Sequence, residues 1–249
     1  MPKFFVTSNA IKNDKIKIEG KDVNHIKNVL RTKVEDKIDI CNTDEMKDYE
    51  CEIEELTSDY ITCKIISEKE NTSESNLEIT IFQGLPKGDK MELIIQKSVE
   101  LGVNKIIPVD MKRCVVKLKD KDKIKKVERW QKISEVASKQ CGRGIIPKIG
   151  QVIKIKEILN IIEEYDIILV AYEREENNYL KFEVEKLKKL EKDKKKIAIV
   201  IGPEGGLEGE EVKQLQENGA KVITLGKRIL RTETVALSMI SILMYELEN

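Results

Sequence analysis

Two short glycine-bearing segments near the carboxyl end of the chain hold the residues best placed to do chemistry. In KIAIVIGPEGGLEGEEV an apolar run ends at Ile201 and gives way to Gly202, Pro203, Glu204, Gly205 and Gly206, followed closely by Glu208, Glu210 and Glu211. In VITLGKRILRTETVALSMISILMYEL, Leu225 and Gly226 lead through Lys227, Arg228, Ile229, Leu230 and Arg231 into a long apolar stretch. Glycine at the end of a parallel strand lets backbone approach a ligand that a β-carbon would hold off, and open α/β sheets bind ligands at that edge. Neither segment is a phosphate motif: G-x-G-x-x-G and G-x-x-x-x-G-K-[ST] are absent, and the carboxylates after the first loop would repel a phosphate. An uncharged or cationic ligand suits the pair better, held between two loops whose backbone groups could read a purine edge. The plainer alternative for the first loop is a tight strand-to-helix crossover. Ile229 and Leu230, between two arginines, either plug the core or line a pocket.

The elements that must position these loops alternate strand and helix. Apolar runs predict strands at 77–83, 105–109, 167–172, 198–201 and 221–225, interleaved with helices at 89–101, 120–140, 178–190, 208–218 and 232–247. Near-continuous apolar strands between helices imply an α/β domain with a mostly parallel sheet covered on both faces. Ile124, Val127, Ile133, Val136 and Ala137 are the expected buried face of helix 120–140, and Thr232 or Thr234 the expected cap of the last helix. Ahead of this domain, alternating segments at 37–40, 51–56 and 60–66 with one helix at 23–30 predict a small β-rich unit. SEKENTSESN, residues 67–76, has no apolar residue and reads as a linker, which divides the chain into domains 1–70 and 71–249.

Composition excludes several classes. With 249 residues, 40% of them hydrophobic, the chain can bury a sizeable core. Its longest apolar runs, 167–172 and 197–201, fall far short of the roughly 20 residues of a membrane span. The start lacks a secretory signal, and a cytoplasmic location is expected. The five cysteines are never two residues apart and His25 is the only histidine, so no metal site, disulfide framework or histidine-based triad is expected. Lys+Arg and Asp+Glu are equal at 45 each, but unevenly spread. Residues 1–70 hold 12 basic and 16 acidic side chains, residues 71–160 hold 19 and 11, and residues 161–249 hold 14 and 18. The middle of the chain can therefore face a polyanion although the whole is neutral. With only 11 aromatics, any affinity for a nucleic acid would come from charge rather than stacking.

The two glycine segments resemble the paired C-terminal motifs of the SPOUT class of RNA methyltransferases, specifically the RsmE family that methylates uracil N3 in 16S ribosomal RNA. Three more segments match in the family's order: NHIKNVLRTKVEDKI around His25 and Arg31, LPKGDKMELIIQKSVELGVNKIIPV with KRCVVK, and ERWQKISEVASKQCGR. The likeness covers nearly the whole chain. Departures are Glu35 where glycine is usual, Cys114 where serine is usual and Leu93 where an aromatic is common.

The resemblance implies an N-terminal PUA-like β-barrel for RNA docking and a trefoil-knotted SPOUT α/β methyltransferase domain. It implies S-adenosylmethionine as cofactor, enclosed by Ile201, Gly202, Pro203, Gly205, Leu225, Gly226, Ile229 and Leu230, with Val170 and Ala171 at the preceding strand end. Partners would be 16S rRNA or the 30S subunit and a second copy of the chain, the apolar segment 235–247 offering a homodimer surface. Uracil N3 is a poor nucleophile until deprotonated or stabilised as an anion. Arg231 and Arg113 are the candidates for stabilising it, and Glu204 and Glu233 for a base. The target base would be extruded from its stack. Arg31, Arg113, Lys117, Lys119, Arg129 and Arg143 are the expected RNA contacts. Two other readings stay open: a SPOUT enzyme acting on transfer RNA or a ribose 2′-oxygen, and a non-enzymatic RNA-binding ribosome-assembly factor.

Overall fold

In the computed structural model, which describes residues 3–248, the amino-terminal segments pair into a six-stranded sheet. Its strands are β1 (Phe4–Val6), β2 (Ile11–Lys12), β3 (Lys15–Glu19), β4 (Lys37–Asn42), β5 (Lys47–Leu56) and β6 (Tyr60–Glu70), in the order β1-β4-β5-β6-β3-β2. β1 runs parallel to β4, and the other pairs are antiparallel. Residues 7–10 alone join the two edge strands. Such a link spans at most about 18 Å, whereas the edges of a flat six-stranded sheet stand about 24 Å apart. The sheet must therefore curl toward a barrel. Its inward alternation buries Ile16, Ile18, Ile38, Ile40, Ile53 and Ile61 in one core, with Val23 of α1 (Lys21–Asn24) and Ile26 of the wide helical turn that follows.

Two sequence expectations change here. The polar stretch 67–76 is a linker only in part, because Ser67–Glu70 extend β6 and pair with Lys47–Glu50. A polar hairpin end has no apolar alternation to reveal it. Arg143, expected to face RNA, is 4% exposed. Its guanidinium donates to both oxygens of Glu74 at 2.8 and 2.7 Å, and the Gly144 N–H donates to the same carboxylate at 2.8 Å. Lys139 pairs with Asp22 at 2.7 Å. These bonds place Ser138–Ile146 with the described residues up to Glu74 as one compact unit, separate from Ser75–Ala137 and the chain from Pro147 onward.

The second unit is a wholly parallel six-stranded sheet of β7 (Leu77–Gly84), β8 (Lys105–Val109), β9 (Lys148–Ile149), β10 (Ile167–Ala171), β11 (Lys195–Ile201) and β12 (Lys221–Ile223), ordered β12-β10-β11-β7-β8-β9. The helices between and after the strands are α2 (Lys90–Glu100), α3 (Asp120–Cys141), α4 (Ile155–Leu159), α5 (Leu180–Lys188), α6 (Gly209–Glu217) and α7 (Thr232–Leu247). The central strands are apolar on both faces because helices cover both: Ile79, Ile81, Leu169, Val170 and Ile197 to Val200 are all fully buried. In α3 the buried face is Val127, Trp130, Ser134 and Ala137, while Ile124 and Val136 are 55% and 67% exposed. Ser134 follows the inner face because its hydroxyl finds the Pro147 carbonyl at 2.7 Å. Among the described residues no helix is long and apolar enough to cross a membrane.

Candidate active site

The carboxyl ends of β10, β11 and β12 open onto a cleft of about 540 Å³, within the range of small-molecule sites. One wall is the loop after β11. There the Gly206 N–H donates to the Pro203 carbonyl at 2.9 Å, closing a turn over Glu204 and Gly205. A β-carbon on Gly202 would come within 2.7 Å of the Gly206 backbone, so only glycine allows this turn to fold back on itself. The acidic start of α6 is spent on structure rather than on the cleft. Glu211 accepts the N–H groups of Glu208 and Lys112 at 3.0 and 2.9 Å, and Glu208 pairs with Arg113 at 3.0 Å.

The second wall is the loop after β12. Thr224 Oγ1 accepts the Gly226 N–H at 3.2 Å, and Gly226 takes φ +119°, which a side-chain-bearing residue rarely adopts. A β-carbon there would meet no atom within 4 Å. Beyond it Ile229 lines the cleft while 83% exposed, an apolar surface with no place in the core. The two loops are joined at the head of α7. Arg231 is the N-cap and its side chain makes no cap bond, while the Thr232 hydroxyl donates to the Gly202 carbonyl at 2.7 Å. Thr232 thus serves the other loop instead of capping its own helix, and Thr234 is exposed.

Of the residues expected around a cofactor, Ile201, Gly202, Pro203, Gly205, Leu225, Gly226, Ile229 and Leu230 line this cleft, as do Glu204, Arg231 and Ala171. Val170 does not: it is fully buried within β10, one residue before the strand end, and Ala171 holds the lining position. Arg113 is a brace behind the wall. Its guanidinium donates to Glu208 at 3.0 Å and to the Gly205 carbonyl at 3.1 Å. Glu204 accepts the Lys87 N–H at 3.0 Å and pairs with Lys90 at 3.0 Å. Burial pushes its carboxyl up, but the hydrogen bonds from Lys90 and Lys87 and the Lys90 charge outweigh that and leave it below the usual carboxylate range. A carboxylate so held is a weak base. Glu233 is outside the cleft lining and within 3.6 Å of Lys90.

Among the other expected contacts, Lys117 and Arg129 are exposed and paired with Asp110 and Glu92, each at 2.8 Å, and Lys119 is exposed. Arg31 is exposed in the first unit, at φ +55°. Burial, the largest cause, pushes the Cys41, Cys51 and Cys63 thiols up to about 12, and it raises the buried Cys114 thiol too, which makes these four poor nucleophiles. Sequence reasoning missed Lys90 and Glu173, both in the cleft lining, and Gln83 beneath it. Gln83 carries no distinct sequence signal, since the same strand also holds Glu78 and Thr80.

Residues 73–244 match the RNA methyltransferase domain family and residues 18–66 the RNA methyltransferase PUA domain family. Fold and site together define the class of RNA methyltransferases. The chain is 38% identical over 234 residues to ribosomal RNA small subunit methyltransferase E of Bacillus subtilis, which covers 93% of this chain and 90% of the relative. It is 33% identical over 201 residues to the protein of that name from Aquifex aeolicus, covering 80% and 82%. A crystal structure of ribosomal RNA small subunit methyltransferase E from Neisseria gonorrhoeae bound to S-adenosyl methionine matches with a TM-score of 0.84 and 31% identity, over 98% of this chain and 97% of that one. The chain belongs to the ribosomal RNA small subunit methyltransferase E family.

Proposed function

We propose that this chain transfers a methyl group from S-adenosylmethionine to N3 of a uridine in 16S ribosomal RNA. The observation that carries the reading is the cleft built from both glycine loops and tied by Thr232 to Gly202. Its volume, its exposed apolar Ile229 and the open space over Gly226 suit a nucleoside, and Glu173 and Glu204 in its lining suit a cationic sulfonium. Bound S-adenosylmethionine supplies an electrophilic methyl group whose bond pair leaves with sulfur. Arg231, at the head of α7 and exposed on the cleft, is the group we assign to hold the uracil anion, since a guanidinium stays charged and offers two parallel donors to a carbonyl edge. With that anion stabilised, the N3 proton is released toward water, and no base role falls to Glu204, which Lys90 holds as a weak one.

Residues 1–70 are read as the RNA-docking domain and 71–249 as the methyltransferase domain, whose chain path would carry the family's knot, with 138–146 serving the first unit structurally. RNA would be met by Lys117, Lys119 and Arg129 on the second unit and Arg31 on the first, in isolated 16S RNA or the 30S subunit. Arg143 is withdrawn from that surface by its burial, and Arg113 by its bonds to both Glu208 and the Gly205 carbonyl. A homodimer through α7, where Tyr245 is 84% exposed, and a cytoplasmic location complete the reading. Calorimetry with S-adenosylmethionine tests the pocket. Binding by the natural chain and its loss in Gly226→Trp are expected, and full binding by that variant would contradict the assignment.

A further inference from the structure

Beneath the cleft, the bond from Thr232 to Gly202 is continued by a buried amide that none of the assigned roles uses. Gln83, at the carboxyl end of β7, is completely buried among apolar neighbours of the sheet. Both amide hydrogens are directed, one to the Gly84 carbonyl at 3.0 Å and one to Thr232 Oγ1 at 2.8 Å. Thr232, 5% exposed, passes its own hydroxyl hydrogen to the Gly202 carbonyl at 2.7 Å. Since a hydroxyl has one hydrogen, Thr232 can donate to Gly202 only while accepting from its other side, so the amide orientation of Gln83 is fixed by the chain of bonds. That orientation leaves Gln83 Oε1 buried with no protein partner. A buried amide oxygen with no protein partner counts against folding, and an apolar side chain of the same size removes that cost together with the two bonds from Nε2.

We infer that Gln83 is a positioning residue of the cofactor cleft, acting through Thr232 to fix the Gly202 carbonyl and the first turn of α7. The link joins three separate pieces of the site: the end of β7, the loop after β11, and the helix whose N-cap is Arg231. Without the amide donor, Thr232 loses the bond that orders its lone pairs, and its rotamer is free to leave Gly202. A cleft wall and the neighbouring Arg231 would then shift together, the kind of small displacement to which transfer reactions are sensitive. The inference rests on the reading that the cleft takes S-adenosylmethionine.

The test uses Gln83→Met and Gln83→Leu, which keep volume and remove the amide, with Thr232→Val and Thr232→Ser. Calorimetry with S-adenosylmethionine and thermal unfolding are measured on each full-length chain. Both Gln83 variants should bind about tenfold more weakly while melting close to the natural temperature. Thr232→Val should lose affinity similarly, Thr232→Ser should recover most of it, and Gln83→Met combined with Thr232→Val should be no weaker than Thr232→Val alone, as for two groups on one link. Unchanged affinity in the Gln83 variants, a loss tracked by lower melting temperatures in both, or additive losses in the double variant would each overturn the inference while the natural chain still binds. A natural chain that does not bind overturns the reading of the cleft, and this inference with it.

Discussion

The ion pair that holds Ser138–Ile146 in the first unit and those that brace the cleft lie at different depths. In the first unit Arg143 and Glu74 have side chains only 5% and 12% exposed. Around the cleft Arg113 and Glu208 are 32% and 36% exposed, and Lys90 and Glu204 are 32% and 28% exposed. A desolvated pair is an architectural commitment, since removing one partner strands the other charge away from water. A pair near solvent braces a loop at little cost and leaves it able to adjust to a ligand. The same residue types therefore do opposite work: they lock Ser138–Ile146 into the first unit, and they hold the loop after β11 without freezing it.

The contrast is open to breakage. The largest effect should come from Arg143→Ala, which leaves the largely covered Glu74 without its ion-pair partner and should lower the unfolding free energy by about 3–5 kcal/mol in urea denaturation. Arg113→Ala, measured alongside, should cost less than about 1 kcal/mol. Equal losses would erase the distinction. Next comes Arg231→Ala, expected to slow methyl transfer about 100-fold while cofactor affinity by calorimetry stays within about threefold, because the arginine is assigned to the uracil anion. A parallel collapse of cofactor affinity would move Arg231 to the cofactor's own contacts.

Smaller is the effect of replacing Lys117, Lys119 and Arg129 together by alanine. These exposed side chains are expected to meet phosphates, so the slope of log binding constant against log salt should flatten by about 2–3. An unchanged slope would take RNA off this surface. Smallest is the response to pH. The hydrogen bond to Glu204 holds Lys90 above its ordinary value, and Glu204 is itself held low. Glu204 therefore loses its charge only as pH falls below the usual carboxylate range, and Lys90 only as pH rises above the usual lysine range. Their brace should leave cofactor affinity flat between about pH 6 and 9. A break in the affinity of the natural chain near neutrality would be at odds with this.

Much of the second unit was legible in the chain. α7 begins and ends at Thr232 and Leu247 as its apolar stretch predicts, and β8 keeps its predicted limits of Lys105 and Val109. Periodicity marks such elements because burial on one or both faces dictates residue type. It failed where polar residues take inward positions. Ser134 displaced Val136 from the inner face of α3 by bonding a carbonyl, and Gln83 passed unnoticed at the end of a strand that also carries Glu78 and Thr80. Charge totals failed for a related reason: they count Arg143 with the exposed cations, although its carboxylate partner is 69 residues away in sequence and can be found only in the fold. The glycine loops were the most readable part of the site, because a backbone that folds as tightly as Gly202 against Gly206 tolerates no other residue. Which side chain meets the substrate was the least readable, since Arg113 and Arg231 differ only in what the fold puts beside them.

The most direct measurement is methylation of the proposed target itself. 16S RNA and 30S subunits lacking the modification would be incubated with the chain and isotopically labelled S-adenosylmethionine, digested to nucleosides and read by mass spectrometry. The expected product is labelled 3-methyluridine at a single position in 16S RNA, absent with Gly226→Trp. Label on a ribose oxygen or another base, or no label in either substrate from a chain that binds the cofactor, would contradict the account.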